Sequence, residues 1–387
     1  MFEWREGIIL IYLDYSATTP VLPEVLESFQ QAVIRFPGNA NSLHKLGMES
    51  RKLMQQAEKQ VAVLCHVREE EVIFTSSASE ANNMALKGVL ESYRNRGKHI
   101  ITTKLEHSSI LETCDYLETL GYEVSYVSVL ENGQVDLEEL ASLIRKDTVL
   151  ISIHHVNSEV GVIQNITSIA SFLKTNYPRI FFHVDGTQSV GKIPIDLENI
   201  DLFTFSAHKI YGLKGIACLI KKKNVNMIPL IHGGKSQTEY RSGTPAVALM
   251  VSLAKALRIA LEELESRFSY VSSLNKMLRE CLVNIPGVII NSPEDAVPHI
   301  LNISVSSVKP EVMLHALEEY DIYISTKTAC SKDNSDSASL LAMGKPHSVS
   351  GFSLRISLSY QTTQKEIQDF LKIFEKTVSH FQNELKK

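Results

Sequence analysis

The sequence predicts an α/β protein: a mostly parallel sheet covered by helices on both faces, followed by a smaller α+β unit. Three observations carry this reading. Short β-rich runs alternate with helical stretches through the middle of the chain. After Pro245 the texture changes to long helical patterns. At 387 residues the chain exceeds what one core usually holds, so two domains are expected.

The elements follow in order. The apolar run 8–13 reads as a buried strand. Residues 71–75 read as a strand, and 79–90 as a helix with Ser79 as its N-cap. A strand at 99–102 precedes a helix running to Leu120; a strand at 123–129 precedes a helix at 136–144. Strands are expected at 149–154, 180–184, 202–205 and 216–220. Residues 247–267 read as one long helix, with a second running to about Leu282. The smaller unit is built from 300–305, a helix over 310–320, 322–325 and 353–359, with an amphipathic helix from about Thr363. Residues 331–350 are rich in Ser, Gly, Lys and Asp, lack periodicity and read as a mobile loop. Residues 16–260 are expected to form the large domain, and 1–15 with 261–387 the small one.

Composition narrows the function. A net charge of -5 is mild and argues against a nucleic-acid binder driven by bulk charge, so no direct nucleic-acid contact is expected. Cys65, Cys114, Cys218, Cys281 and Cys330 are odd in number and contain no C-x-x-C pair. A disulfide framework or a zinc site is therefore not expected, and a free thiol suits a reducing compartment. The apolar run near the N-terminus is too short for a membrane span and has an acidic flank, so the cytoplasm is the expected location.

Six local patterns carry chemistry. The run 182–185 is an apolar strand ending in Asp185; in an open α/β sheet, ligands bind at the carboxyl ends of strands. A helix N-cap is the plainer role for such an Asp. A second apolar strand ends in Ser206, Ala207, His208 and Lys209. A desolvated lysine there can form a Schiff base with an aldehyde, although a lone Lys is more often a surface residue. Together, the acid and the amine make the arrangement a pyridoxal-phosphate site needs. The small residues from Thr75 to Ser79 join a strand to a helix, whose N-terminal N–H groups bind phosphate. His107, after a third strand, can stack on a planar cofactor or move protons, unless it is structural. Cys330 opens a polar loop with Lys327 and Lys332 nearby, a setting that lowers a thiol pKa and makes it reactive, although taken alone an incidental thiol is the favoured reading. Arg355, inside an apolar strand, needs an anionic partner: an amino-acid carboxylate or a structural ion pair.

In this order the patterns resemble the cysteine desulfurases of the NifS-like, fold type I pyridoxal-phosphate family. The strings YLDYSATTP, HHVNSEVG, HVDGTQSVGKIPID, FSAHKIYG, YRSGT and TACS carry the resemblance over nearly the whole chain, and the short cysteine loop is similar to the group I branch. The resemblance implies a large domain with a mostly parallel seven-stranded sheet, bound pyridoxal 5'-phosphate, L-cysteine as substrate, and a homodimer. It implies that Lys209 holds the cofactor, Asp185 pairs with the pyridine nitrogen, Gln188 bonds the ring hydroxyl, and His107 stacks on the ring and helps proton transfer. Ala78, Ser79, Ser206 and His208 would serve the phosphate, with Thr244 reaching the phosphate of the partner subunit. Asn157 would lie beside the cofactor and help bind the substrate, Arg355 would bind the substrate carboxylate, and Cys330 would take the sulfur and pass it to an acceptor protein. The chain departs from the family pattern at Ser77, Ser79, Gly186, Ala207, Leu213 and Lys327. Transamination or selenocysteine lysis on the same cofactor, and a non-catalytic scaffold, stand as the competing readings.

Overall fold

A computed structural model describes residues 10–234, 236–306, 308–326 and 336–384. Its centre is a seven-stranded sheet: β1 (Val72–Thr75), β2 (His99–Thr103), β3 (Glu123–Val127), β4 (Thr148–His154), β5 (Phe181–Asp185), β6 (Leu202–Ser206) and β7 (Ala217–Lys221). The spatial order is β1-β7-β6-β5-β4-β2-β3, and β7 alone runs against its neighbours. This is the mostly parallel sheet the alternating pattern predicts, with strand ends shifted by one or two residues.

Both faces of the sheet are covered, which is why its strands read as continuous apolar runs. Phe74, Ile101, Phe182 and Ile220 face a core that includes Met54 and Val61 of the helix Lys45–Leu64 and Leu253 and Leu257 of the helix Val247–Glu262. Their sequence neighbours Ile73, Ile100, Phe181 and Leu219 face a second core with Met84 of the helix Ala78–Ser92 and Ile110 of the helix Ser108–Thr119. The alternation of side chains along each strand assigns successive residues to opposite cores.

A separate hydrophobic cluster joins Leu274 and Leu278 to Phe370 and Phe374 of the helix Gln364–Glu384, around Leu301, Ile303, Leu354 and Ile356. The strands there form an antiparallel sheet in the order Ser353–Ser357, Ile300–Val305, Val288–Ile290. The short strand Ile11–Tyr12 pairs in parallel with Ile322–Tyr323, and Ile11 and Leu13 join this cluster. Among the described residues no helix is long and apolar enough to cross a membrane.

Four expectations need correction. The N-cap of the helix Ala78–Ser92 is Ser77, not Ser79: Ser77 is extended, and its side chain accepts the Glu80 N–H at 3.1 Å. The two helices expected over 247 to about 282 are present, but they divide at Glu263, where the backbone leaves helical geometry, and not after Arg267. The strand Val288–Ile290 and the helices Pro23–Arg35, Lys45–Leu64 and Ile166–Asn176 were not foreseen. The described part of the expected mobile loop, 336–350, folds as the helices Ala338–Ala342 and His347–Ser350. Leu340 anchors it in a cluster with Val160, Val162 and Met343, and the Ser337 hydroxyl donates to Glu159 Oε2 at 2.6 Å.

Candidate active site

The carboxyl ends of β4, β5 and β6 open onto a cavity of about 250 Å³. Asp185, the last residue of β5, lines it. Its carboxylate is fixed from two sides: Oδ1 accepts the Thr187 N–H at 2.9 Å, and Oδ2 accepts Asn82 Nδ2 at 2.8 Å. Asn82 Nδ2 is also 2.9 Å from Ser109 Oγ, which in turn sits 2.9 Å from His107 Nδ1. Asp185 and His107, far apart in sequence, are thus tied through the Asn82 amide and the Ser109 hydroxyl.

His107 caps the helix Ser108–Thr119, its Nδ1 accepting the Ser109 N–H at 3.1 Å. A ring nitrogen that accepts an N–H carries no proton, so the neutral ring holds its proton on Nε2. Burial pushes the His107 pKa down, with Asp185 opposing and Lys209 adding to the fall.

Lys209 closes a single turn, Ala207–Lys209, directly after β6. Its Nζ donates to the carbonyls of Ser16 at 2.5 Å and Ala17 at 2.8 Å, which holds the amine at the cavity wall. Gln188 Nε2 donates to the same Ser16 carbonyl at 2.9 Å, while Gln188 Oε1 accepts from the buried Lys192. At the opposite wall, Ser77, Ala78 and Ser79 start the helix Ala78–Ser92, whose first N–H groups lack intrahelical partners. His208 lines the cavity as well, its Nδ1 3.2 Å from Thr18 Oγ1 and its pKa pushed down to about 4, chiefly by burial.

Arg355 reaches the cavity from the antiparallel sheet. Nη2 pairs with Asp14 Oδ1 at 2.8 Å and Nη1 donates to the Ser158 carbonyl at 3.1 Å, so of the two expected partners the structural acid is present; Nε has no partner among the described residues. Ser206, Asn157 and Thr244 are not among the cavity's lining residues. Asn157 is committed to the protein: Nδ2 donates to the Leu105 carbonyl at 3.0 Å, and Oδ1 accepts from Glu159 and Val160 N–H at 2.9 and 2.8 Å. Ser206 is buried and Thr244 is exposed. Cys330 and Lys327 lie outside the described residues.

Sequence reasoning missed Asn82, Lys192, and the pair of Glu106 with His154. Only the pairing of a polar residue with an otherwise apolar face marked them, and their partners are far away in sequence.

Four buried polar atoms without a partner among the described residues, Ser16 Oγ, His154 Nε2, Thr187 Oγ1 and Arg355 Nε, all belong to residues lining this one cavity. Unpaired buried polar groups are costly, so they mark a place built for a polar occupant. The donor set fits pyridoxal phosphate: a carboxylate for a protonated ring nitrogen, an amine for an aldehyde, and a helix N-terminus for a phosphate. The fold and this assembly are those of a fold type I pyridoxal-phosphate enzyme.

The chain belongs to the class-V aminotransferase family, whose model matches residues 11–370. It is 40% identical over 377 residues to "Cysteine desulfurase IscS" of Buchnera aphidicola subsp. Acyrthosiphon pisum, covering 95% of this chain and 92% of that one. It is 39% identical to the "NifS/IcsS protein homolog" of Lactobacillus delbrueckii subsp. bulgaricus, covering 96% and 98% of the two chains. Among solved structures, a "NIFS-LIKE PROTEIN" matches with a TM-score of 0.91 at 37% identity, over 96% of this chain and all (100%) of the other. "SspA in complex with cysteine" matches with a TM-score of 0.80 at 31% identity, over 91% and 100%.

One family departure has a visible compensation. A Cβ on Gly186 would stand 1.9 Å from Phe203 Cζ, so the ring of Phe203 occupies the space where a side chain at this position would go.

Proposed function

We infer that this chain is a cysteine desulfurase: it takes sulfur from L-cysteine, releases L-alanine, and keeps the sulfur as a persulfide on Cys330. The observation that carries this is the convergence of Lys209, Asp185, His107 and the helix N-terminus on one cavity with four buried polar atoms that have no partner among the described residues. When bound, pyridoxal phosphate supplies an electron sink next to the substrate Cα.

The chain's own residues do the rest. Asp185, held by Asn82 and the Thr187 N–H, keeps a negative charge facing the ring nitrogen. Ala78 and Ser79 offer N–H groups to the phosphate, helped by Ser206 and His208, with Thr244 reaching the phosphate in a partner subunit of a homodimer. Gln188 bonds the ring hydroxyl, and Arg355 engages the substrate carboxylate through Nε, with Asn157 bracing the loop beside it. Lys209 would hold the cofactor at rest, and its amine and the His107 imidazole would move protons at the substrate. The Cys330 thiolate forms an S–S bond to the substrate sulfur as the Cβ–S bond breaks. The electron pair left on carbon takes a proton, giving alanine.

The other described cysteines support the choice of nucleophile. Burial pushes the thiols of Cys65 and Cys114 up to about 12 and that of Cys218 far above its usual range, so they stay protonated and inert. Cys281 is exposed on the helix Leu264–Leu282 and does not line the cavity. The persulfide passes to an acceptor protein in iron–sulfur, thiamine or tRNA thiolation chemistry, in the cytoplasm. We also propose the division into a large domain of 16–260 and a small one of 1–15 with 261–387.

The test is to supply purified protein with L-cysteine and a thiol reductant and to assay sulfide and alanine together. Equal amounts, both lost in Cys330→Ser, support the reading. Bound cofactor with neither product contradicts it.

A further inference from the structure

We propose that Glu106 and His154 hold a proton acceptor in the cavity, opposite in sense to His107, that takes a proton from the ammonium group of the incoming amino acid. This rests on the desulfurase reading for its substrate, but its geometry stands apart from it.

The protonation of His154 follows from its partners. Glu106 Oε1 accepts the His154 backbone N–H at 3.0 Å and the Thr103 hydroxyl at 3.0 Å, and lies 2.8 Å from His154 Nδ1. The Thr103 oxygen itself accepts the Leu105 N–H at 3.0 Å, so its own proton is turned to Glu106. An oxygen gathering these donors acts as the acceptor, which places the third proton on Nδ1. In the neutral ring the lone pair is therefore on Nε2. That atom is buried and has no partner among the described residues, and the ring lines the cavity, so Nε2 is the polar atom His154 has left to offer an occupant.

His107 is the mirror case. Its Nδ1 accepts the Ser109 N–H, which leaves an N–H at Nε2. Of the three imidazoles that line the cavity, His107 thus presents a hydrogen and His154 a lone pair, while His208 faces Thr18. His154 ends β4 directly across from Asp185 in the parallel register, so both side chains project from the same face of the sheet.

A carboxylate behind an imidazole orients the ring and stabilises the imidazolium that forms. The cationic donor among the groups of an amino acid is its ammonium, which must lose a proton before its nitrogen can act as a nucleophile. In the step proposed, an N–H bond of the ammonium breaks, an Nε2–H bond forms on His154, and the new positive charge is shared with Glu106. Among the described residues, the other charged or titratable groups around the pair are Asp185, His107, His208, Lys209 and Arg355 at the cavity, His155 beside His154, and Cys114 beside Glu106. Burial pushes His155 down to about 4, so it does not compete for the proton above that pH.

The experiment has two arms. Nitrogen-15 NMR of cofactor-free protein with labelled histidine should show His154 with its proton on Nδ1, and Glu106→Gln should disturb that assignment. In cofactor-loaded protein, His154→Gln and His154→Met should keep the visible absorbance band. Their kcat/KM for L-cysteine should fall about a hundredfold, and the acidic limb of the kcat/KM profile should flatten while kcat changes less. A proton on Nε2 in the neutral wild-type ring, or an unchanged acidic limb in both variants, overturns the proposal. A wild-type protein that does not turn over cysteine sinks the desulfurase reading instead, and the tautomer then decides whether the acceptor exists.

Discussion

Asn82 Nδ2 donates to Asp185 Oδ2 at 2.8 Å, and both residues are buried. The amide comes from the helix whose N-terminus faces the cavity, so one contact couples the carboxylate at the end of β5 to the wall expected to hold a phosphate. Hydrogen bonds to a charged group contribute about 1.5–3 kcal/mol. Asn82→Ala should therefore weaken retention of pyridoxal phosphate about tenfold to a hundredfold, measured by dialysis and reconstitution. A variant that holds the cofactor as well as the parent would show that Asp185 does not depend on this contact.

Lys209 sits where an amine can bond an aldehyde, held by two carbonyls at the cavity wall. Lys209→Ala should lack the visible absorbance band and all turnover, while its circular dichroism stays that of the parent. A retained band would move the cofactor-bonding amine elsewhere, with the buried Lys192 the first alternative to examine.

Gly186 and Phe203 share one space. Gly186→Ala forces a Cβ against the Phe203 ring and should cost about 1–3 kcal/mol of stability. Combining it with Phe203→Leu should recover part of that loss, because the clash is with the ring. Denaturant unfolding of the two single variants and the double variant measures the coupling; strict additivity would contradict it.

Acid sensitivity follows from buried imidazoles. Burial pushes His155 down to about 4 and His299 down to about 3, the latter also by the nearby charges of Lys192 and Arg267. Unfolded imidazoles titrate near 6.5. The folded pKa is the lower one, so the contribution is complete above about pH 6.5 and is lost as pH falls toward the folded values, where the unfolded chain binds the proton first. Stability should fall between about pH 6.5 and 4. His299→Gln should reduce that slope by one proton, about 1.4 kcal/mol per pH unit. Parallel curves for the two proteins would contradict the assignment.

The sheet was legible because its strands are short apolar runs buried on both faces, a local signal. Asp185, Lys209 and His107 were legible for the same reason: each stands where such a run or its loop ends. Residues whose role depends on a distant partner were not. Glu106 and His154 are joined across 48 positions, and nothing near either one marks the other. The choice of Ser77 over Ser79 as N-cap depended on backbone geometry that two similar serines do not distinguish in sequence. The break at Glu263 has no glycine or proline to announce it. The polar stretch around Ser337 looked unstructured because its order comes from tertiary contacts, the bond to Glu159 and the burial of Leu340, and not from its own periodicity. Arg355 was read correctly as needing an anion, and the distant Asp14 supplies one.

The central claim is that sulfur leaves cysteine onto Cys330. The most direct measurement is to treat cofactor-loaded protein with L-cysteine without reductant, trap thiols by alkylation, and map the mass of the peptide carrying Cys330. The account predicts that this peptide gains one sulfur atom beyond the alkyl group, that alanine appears in equal amount, and that peptides carrying Cys65, Cys114, Cys218 and Cys281 gain none. Alanine with no added sulfur on Cys330, or sulfur found first on another cysteine, would contradict it.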